Sequence, residues 1–263
     1  MKIGMDRLLT SEDFAYSLEL SDEEYFGSYA NYVTAHKIVE FSRDPQKFFH
    51  GSRASITPDV LIFGAAAHKI ILEGQSAFER DYLVYDGGDA FGAAGRFVGR
   101  NSRRWKGIAE DSGFPPDRIL LKREYDRLIQ MRNSFLSHKI SDDFVDCQIE
   151  RTFRWSQHGL SWQGKMDAHS ASVIYDLKTT RSLFDAEASF FRYSYDMQAA
   201  VYASAFRAVF GITPIYRVVF LEKDPPYGVF CKEVDEMTLL VATEDITMFA
   251  GQLVTELKER GYA

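Results

Sequence analysis

Gly164-Lys165-Met166-Asp167, followed by Ile174-Tyr175-Asp176-Leu177-Lys178-Thr179-Thr180, reads as two neighbouring strands. The first runs from Leu160 to His169 and alternates in part. The second, Val173 to Lys178, is apolar and ends in charge. A turn at Ser170-Ala171-Ser172 joins them as an antiparallel hairpin. Residues two apart on a strand share a face, so Asp176 and Lys178 project together. The partner strand brings Asp167 beside them. Two carboxylates and an ammonium at the end of an apolar hairpin are costly to bury without compensation. A divalent cation would compensate, but a surface salt bridge at a strand end accounts for the same residues. The hairpin register decides whether Asp167 faces Asp176 at all.

At 263 residues, 46% hydrophobic and 26% charged, the chain has the composition of a soluble globular protein of one large or two small domains. With 21 Phe and 14 Tyr it has ample material for a core. A net charge of −7 argues mildly against nucleic acid as a partner, though not against a local basic path on an acidic protein. Cys147 and Cys231 form no zinc spacing, and they fit a reducing, cytoplasmic setting. Neither a signal peptide nor a membrane span is expected.

Residues 1–27 are acidic and weakly patterned, an unassigned segment that reads as a mobile arm or a short helix. Tyr29 to Phe41 has helical spacing, and Asp44-Pro45 caps a short helix carrying Phe48 and Phe49. Thr57-Pro58-Asp59 starts another helix that Gly74 stops. Within it, Gly64-Ala65-Ala66-Ala67 lets a neighbouring backbone approach and draws His68 inward. Alone, such a histidine is more often a satisfied core residue; two carboxylates in search of a cation favour a ligand role. Tyr82 to Tyr85 is a short strand, and Gly87-Gly88 and Gly92 make a loop. Arg96, Arg100, Arg103, Arg104 and Lys106 then put five basic residues in eleven positions without an acid. If helical, the four arginines share a face, the best candidate for phosphate contacts; a solvated basic face is the commoner meaning.

Lys122 to His138 is a charged helix, and Asp143 to Trp155 a strand that turns at His158-Gly159 into the Leu160 strand. Glu150, Asp167, Asp176 and Lys178 thus come from three consecutive strands, although Glu150 is equally consistent with an exposed charge. A long helix from Ala186 to Phe210 places Phe191, Tyr195, Gln198 and Tyr202 in one stripe. A tyrosine stripe is ordinary core; the glutamine needs polar partners. Pro214 to Glu222 and Val229 to Val234 are strands, and a final helix runs from Asp235 to Arg260. This order predicts an α/β (α+β) fold with a central mixed β-sheet flanked by helices, and a helical N-terminal region.

Gly64…His68, Glu150, Gly164…Asp167, Asp176-Leu177-Lys178, Gln198…Tyr202 and Leu221-Glu222-Lys223-Asp224-Pro225-Pro226-Tyr227 occur in that order. Together they resemble the PD-(D/E)xK nuclease superfamily, its RecB-like branch, and most closely the RecE-type exodeoxyribonuclease VIII group of phages and prophages. The resemblance covers residues 30–260. It implies a restriction-endonuclease-like core in a single nuclease domain over 28–263, with 28–140 mainly helical and 141–263 the catalytic sheet. The acidic position before Lys178 is Asp176, where relatives carry Asp or Glu.

By this resemblance the protein is a metal-dependent exonuclease of linear double-stranded DNA, 5′ to 3′, in phage-type recombination. Asp167, Asp176 and the Leu177 carbonyl are expected to hold Mg²⁺, completed or flanked by His68, and Mn²⁺ can substitute. Lys178 would position or help deprotonate the attacking water, or neutralise the transition state, Gln198 would fix that water or Lys178, and Glu150 is a further catalytic acid. Tyr202 would pack beside the site or touch the strand, and Lys165 and Thr179 would contact phosphate. Expected partners are double-stranded DNA ends, a single-strand annealing recombinase and copies of the chain in a ring. Alternatives are an inactive DNA-binding member of the fold and an endonuclease. Two cysteines are too few for the iron–sulfur cluster of some RecB-like nucleases.

Overall fold

The computed structural model describes residues 5–50, 58–91 and 95–262. Strands β1 (Ala15–Leu18), β4 (Gln148–Gln157), β5 (Leu160–His169), β6 (Val173–Thr180), β7 (Ile215–Glu222) and β8 (Val229–Val234) form one sheet in the order β1-β4-β5-β6-β7-β8. β4 and β5 are joined by His158 and Gly159, both at positive φ (54° and 73°), as a two-residue hairpin with right-handed strand twist requires. Trp155 lies directly across from Trp162, and their rings stack at 5.8 Å. β6 and β7 are parallel, so the chain must cross over between them; α8 (Ala186–Arg192) and α9 (Tyr195–Phe210) carry that crossover.

The central strands are covered on both faces, which is why β7 reads as a near-continuous apolar run. Tyr216, Val218 and Phe220 pack under α2 (Ala35–Arg43), α9 and α10 (Glu236–Glu259). Tyr175, Leu177, Val219 and Leu221 pack against α4 (Pro58–His68) and α7 (Lys122–Ser137). A smaller core under α6 (Arg103–Ser112) gathers Trp105, Ile108 and, from β3 (Ile119–Leu121), Ile119 and Leu121, while Leu120 joins the α4–α7 side; β3 pairs in parallel with β2 (Leu83–Tyr85). Two short helices, α3 (Pro45–His50) and α5 (Gln75–Asp81), link these parts.

Several expectations shift. From Met5 onward the expected arm is part of the fold: β1 pairs with β4, and α1 (Asp22–Ser28) is held by a reciprocal capping box between Ser21 and Glu24. The helix read from Tyr29 begins only at Ala35, capped by Thr34. Val33 is kept extended by backbone hydrogen bonds to Ser161 and Gln163, 2.8 Å each. β4 starts at Gln148 because Lys139–Phe144 coils into a 3-10 turn. The helix read over 186–210 breaks at Ser194, which is left-handed (φ 57°), so Phe191 leaves the stripe and stands 57% exposed. The start signal at Thr57 and the loop glycine at Gly92 fall outside the described residues.

The arginine segment is also different. Ser102 caps α6, so Arg96 and Arg100 precede the helix and share no face with Arg103 and Arg104. Arg96, Arg103 and Arg104 are exposed. Arg100 is not available to phosphate: its side chain is 5% exposed and bonds Asp59 at 2.6 Å and Glu124 at 2.7 Å. Asp59 opens the helix that ends in His68, so Arg100 anchors that helix from its start.

Two substitutions test this packing. A Cβ at Gly164 would lie 2.8 Å from Cε1 of the buried Tyr202 ring. Gly164→Ala should therefore cost about 1–3 kcal/mol in urea unfolding, and an unchanged midpoint would show that the ring can move aside freely. Arg100→Ala strands Glu124 and should cost about 2–3 kcal/mol, less than a fully buried pair because Asp59 is solvated. Unaltered stability with weakened DNA binding would return Arg100 to the surface role.

Candidate active site

The β5–β6 ladder closes only at Ala168↔Tyr175 and His169↔Ile174. One step further, Asp167 falls opposite Asp176, and there the strands part. The N–H and C=O of a strand residue point to the same edge, so Leu177 offers both to the gap. Its N–H donates to Asp167 Oδ2 at 2.6 Å, and its carbonyl lies 3.1 Å from His68 Nε2. The Asp167 carboxylate thus takes the place of the backbone carbonyl that a continued ladder would have supplied.

The β4–β5 register pairs Ile149 with Ala168 and Arg151 with Met166, which sets the intervening Glu150 level with Asp167. Glu150 has φ 53°, a left-handed backbone rare for a non-glycine residue inside a strand. Its carboxylate reaches 3.8 Å from His68 Nδ1 and 3.1 Å from Lys165 Nζ. His68 ends α4 where the helix widens into a π turn over Lys69–Glu73, a distortion common at functional sites. Ala66 and Ala67 are wholly buried, which lets the helix lie close to β6.

Charge is tightly balanced here. Burial alone would lower the His68 pKa, but Asp167, 3.4 Å from Nδ1, and Glu150 push it up to about 10. In that state the ring donates to the Leu177 carbonyl from Nε2; a cation bound through Nδ1 would displace the proton that the carboxylates otherwise hold there. Burial, then the neighbouring Asp167 charge, push Asp176 up to about 6 against the pull of Lys178. Burial works against the Asp167 charge too, though its side chain is the more open of the two, and His68, Lys178 and the Leu177 N–H hold it below the usual carboxylate range. Two carboxylates with divergent proton affinities in one site are a mark of acid–base or metal chemistry. Lys178 Nζ sits 2.7 Å from Asp176 Oδ2 and over the Tyr195 ring; despite burial, Asp176 and Asp167 raise its pKa and keep it charged.

His68, Glu150 and Asp167 offer donor atoms that all lie within 4.8 Å of one another. Oxygen donors with one imidazole suit Mg²⁺ or Mn²⁺. Glu150, read from the sequence as an auxiliary acid, lies in the tightest donor group. Asp176 turns instead toward Lys178 and Gln198, whose Nε2 donates to its Oδ1 at 3.3 Å. Its other oxygen, Oδ2, is fully buried and faces the Lys178 ammonium at 2.7 Å. The residues present fit a divalent cation.

The remaining sequence candidates are spread around this centre. Tyr202 is buried over Gly164 and beside Gln198, so it packs and is not open to a DNA strand. Lys165 is paired with Asp22 at 2.8 Å as well as with Glu150, and Thr179 is half-buried in β6 across from Leu221. Asp22, which also pairs with Arg118 at 3.0 Å, was missed because no local pattern links it to a strand far along the chain. The aromatic residues Tyr25, Phe26, Tyr29 and Tyr193 line a cavity with His68, Asp167 and Gln198 and were missed for the same reason.

Residues 42–260 match the family described as a PDDEXK-like domain of unknown function (DUF3799). Among solved structures, the chain is similar to a "Putative exonuclease" from Eubacterium rectale, with a TM-score of 0.65 and 15% identity over 94% of this chain and 88% of that one. That likeness concerns the fold, a mixed sheet flanked by helices as in PDDEXK nucleases. No match was found among curated proteins. The matched span holds Glu150, Asp167, Asp176, Lys178 and His68, and the chain belongs to the PDDEXK-like DUF3799 family.

Proposed function

We propose that the protein is a divalent-metal-dependent deoxyribonuclease, an exonuclease of the RecE type that removes nucleotides 5′ to 3′ from linear double-stranded DNA. The observation that carries this reading is the convergence of His68, Glu150 and Asp167 next to the buried Asp176–Lys178 pair. His68, Glu150 and Asp167 would hold Mg²⁺, or Mn²⁺ in its place, with Asp176 and the Leu177 carbonyl beside them. A bound dication would acidify a water and offset charge on the scissile phosphate.

The chain's own groups do the rest. Lys178 is protonated and buried, so it stabilises negative charge developing on phosphoryl oxygens and does not accept a proton. Asp176 holds the Lys178 ammonium in place, and Gln198 fixes Asp176 from α9. Arg96, Arg103 and Arg104 are exposed and would meet the DNA backbone, Arg104 while donating to the Phe91 carbonyl at 3.1 Å. The ring-shaped oligomer, the annealing recombinase, the phage setting and the cytoplasmic location extend the same resemblance. Among the described residues no helix is long and apolar enough to cross a membrane.

Incubation with linear and covalently closed circular duplex, with and without EDTA, tests the reading. Mononucleotides should appear from the linear form alone, and EDTA should stop their release. Equal loss of circles would make the protein an endonuclease; DNA binding without hydrolysis would make it an inactive member of the fold. In the same assay Lys178→Ala and Asp167→Asn should each lower kcat by about 10²–10³ while still giving cooperative melting curves. Full activity in either variant would refute the site.

A further inference from the structure

The cavity in front of the carboxylates has a volume of about 390 Å³ and is lined by two different chemistries. On one side are His68, Glu150, Asp167 and Gln198. Much of the rest is aromatic: Tyr25, Phe26 and Tyr29 from the N-terminal helix and its following turn, Tyr193 from the break before α9 and Tyr195 from its first position, with Lys165 and small or aliphatic side chains of α2 between them. Most large apolar side chains here are buried, yet Phe26 is 59% and Tyr193 55% exposed. Both rings stand on fixed backbone. Phe26 rides on the Ser21–Glu24 capping box and meets Tyr25 edge-on at 5.2 Å. Tyr193 is tied by its N–H to Ser189 at 3.0 Å, and its ring lies 5.8 Å from that of Tyr195. Exposed rings on a rigid support can take up a flat partner with little loss of conformational freedom.

The neighbouring cavity shares His68, Glu150, Lys165 and Phe26, but beyond Phe26 it has one ring, Tyr82, among Lys69, Glu73, Asp117 and Arg118. A base would find fewer rings to stack on there. We propose that the aromatic cavity is a stacking site for one unpaired base of the strand being cut, held by Phe26 and Tyr193 while its phosphate meets the carboxylate centre. This rests on the nuclease reading above and adds a substrate requirement to it. A base still paired in a duplex cannot enter the cavity, so the terminal pair must open first. Ends that are already unpaired should therefore be preferred over blunt ones.

The test is anisotropy titration of the full chain in EDTA, which reads binding without turnover. The probe is a short duplex with a one-nucleotide 5′ tail, carrying either a normal base or an abasic residue. Loss of the base should weaken binding to the wild-type protein by roughly 5- to 150-fold, the range of base–aromatic stacking. In a Phe26→Ala, Tyr193→Ala double variant the two probes should bind alike, and Tyr193→Phe with Phe26 intact should keep the difference. Both rings are more than half exposed, so these variants should fold. Equal binding of the two probes by the wild type, or a difference that survives in the double variant, overturns the proposal. If linear DNA is still hydrolysed in either case, the nuclease reading stands without it; a protein that neither binds nor cuts DNA loses both.

Discussion

The Asp167 carboxylate accepts the Leu177 N–H at 2.6 Å at the point where β5 and β6 part. An N–H buried without a partner would cost about 1–3 kcal/mol, so two strands cannot simply separate inside a sheet. A side chain that supplies the missing acceptor removes that cost and leaves a gap lined by acidic groups. The opposite edge of β6 stays paired with β7 along its whole length, so the opening does not unravel the sheet. The gap is also what allows a helix from the covering layer to reach the strand: His68 takes the Leu177 carbonyl, the other group released by the split. One hydrogen bond therefore links the fold of the sheet to the chemistry of the site.

The elements legible in the sequence are those whose signals are local. The limits of β5, the start of β6, the turn between them, and the paired projection of Asp176 and Lys178 follow from apolar runs and period-two geometry, while β6 continues through Thr180, two residues past the apolar run that ends at Lys178. The part that could not be read depends on partners distant in sequence. Arg100 looked like one of four surface arginines, and only the fold brings Asp59 and Glu124 to it. The 1–27 segment looked like an acidic arm because its charges meet their partners elsewhere: Asp22 meets Lys165 and Arg118. The left-handed backbone at Glu150 and Ser194 carries no glycine or proline to announce it.

The site draws on both helical layers. His68 comes from α4, whose Ile62, Phe63 and Ala66 belong to one core; Gln198 comes from α9, whose neighbours Ala199 and Val201 belong to the other. Asp176 lies between them, accepting from Gln198 on one side, while its charge acts on His68 across the gap. A buried carboxylate can persist only where geometry is fixed closely enough to keep every compensating group in reach. Helices packed on both faces of β6 supply that fixity, and Arg100, far from the reacting groups, contributes by securing the start of α4. The same constraint explains Gly164. With no side chain there, Tyr202 can lie flat on β5 and hold α9 close enough for Gln198 to reach Asp176. A residue quoted first as part of a motif thus acts through the distance between a helix and a strand, and the carboxylate it never touches depends on it.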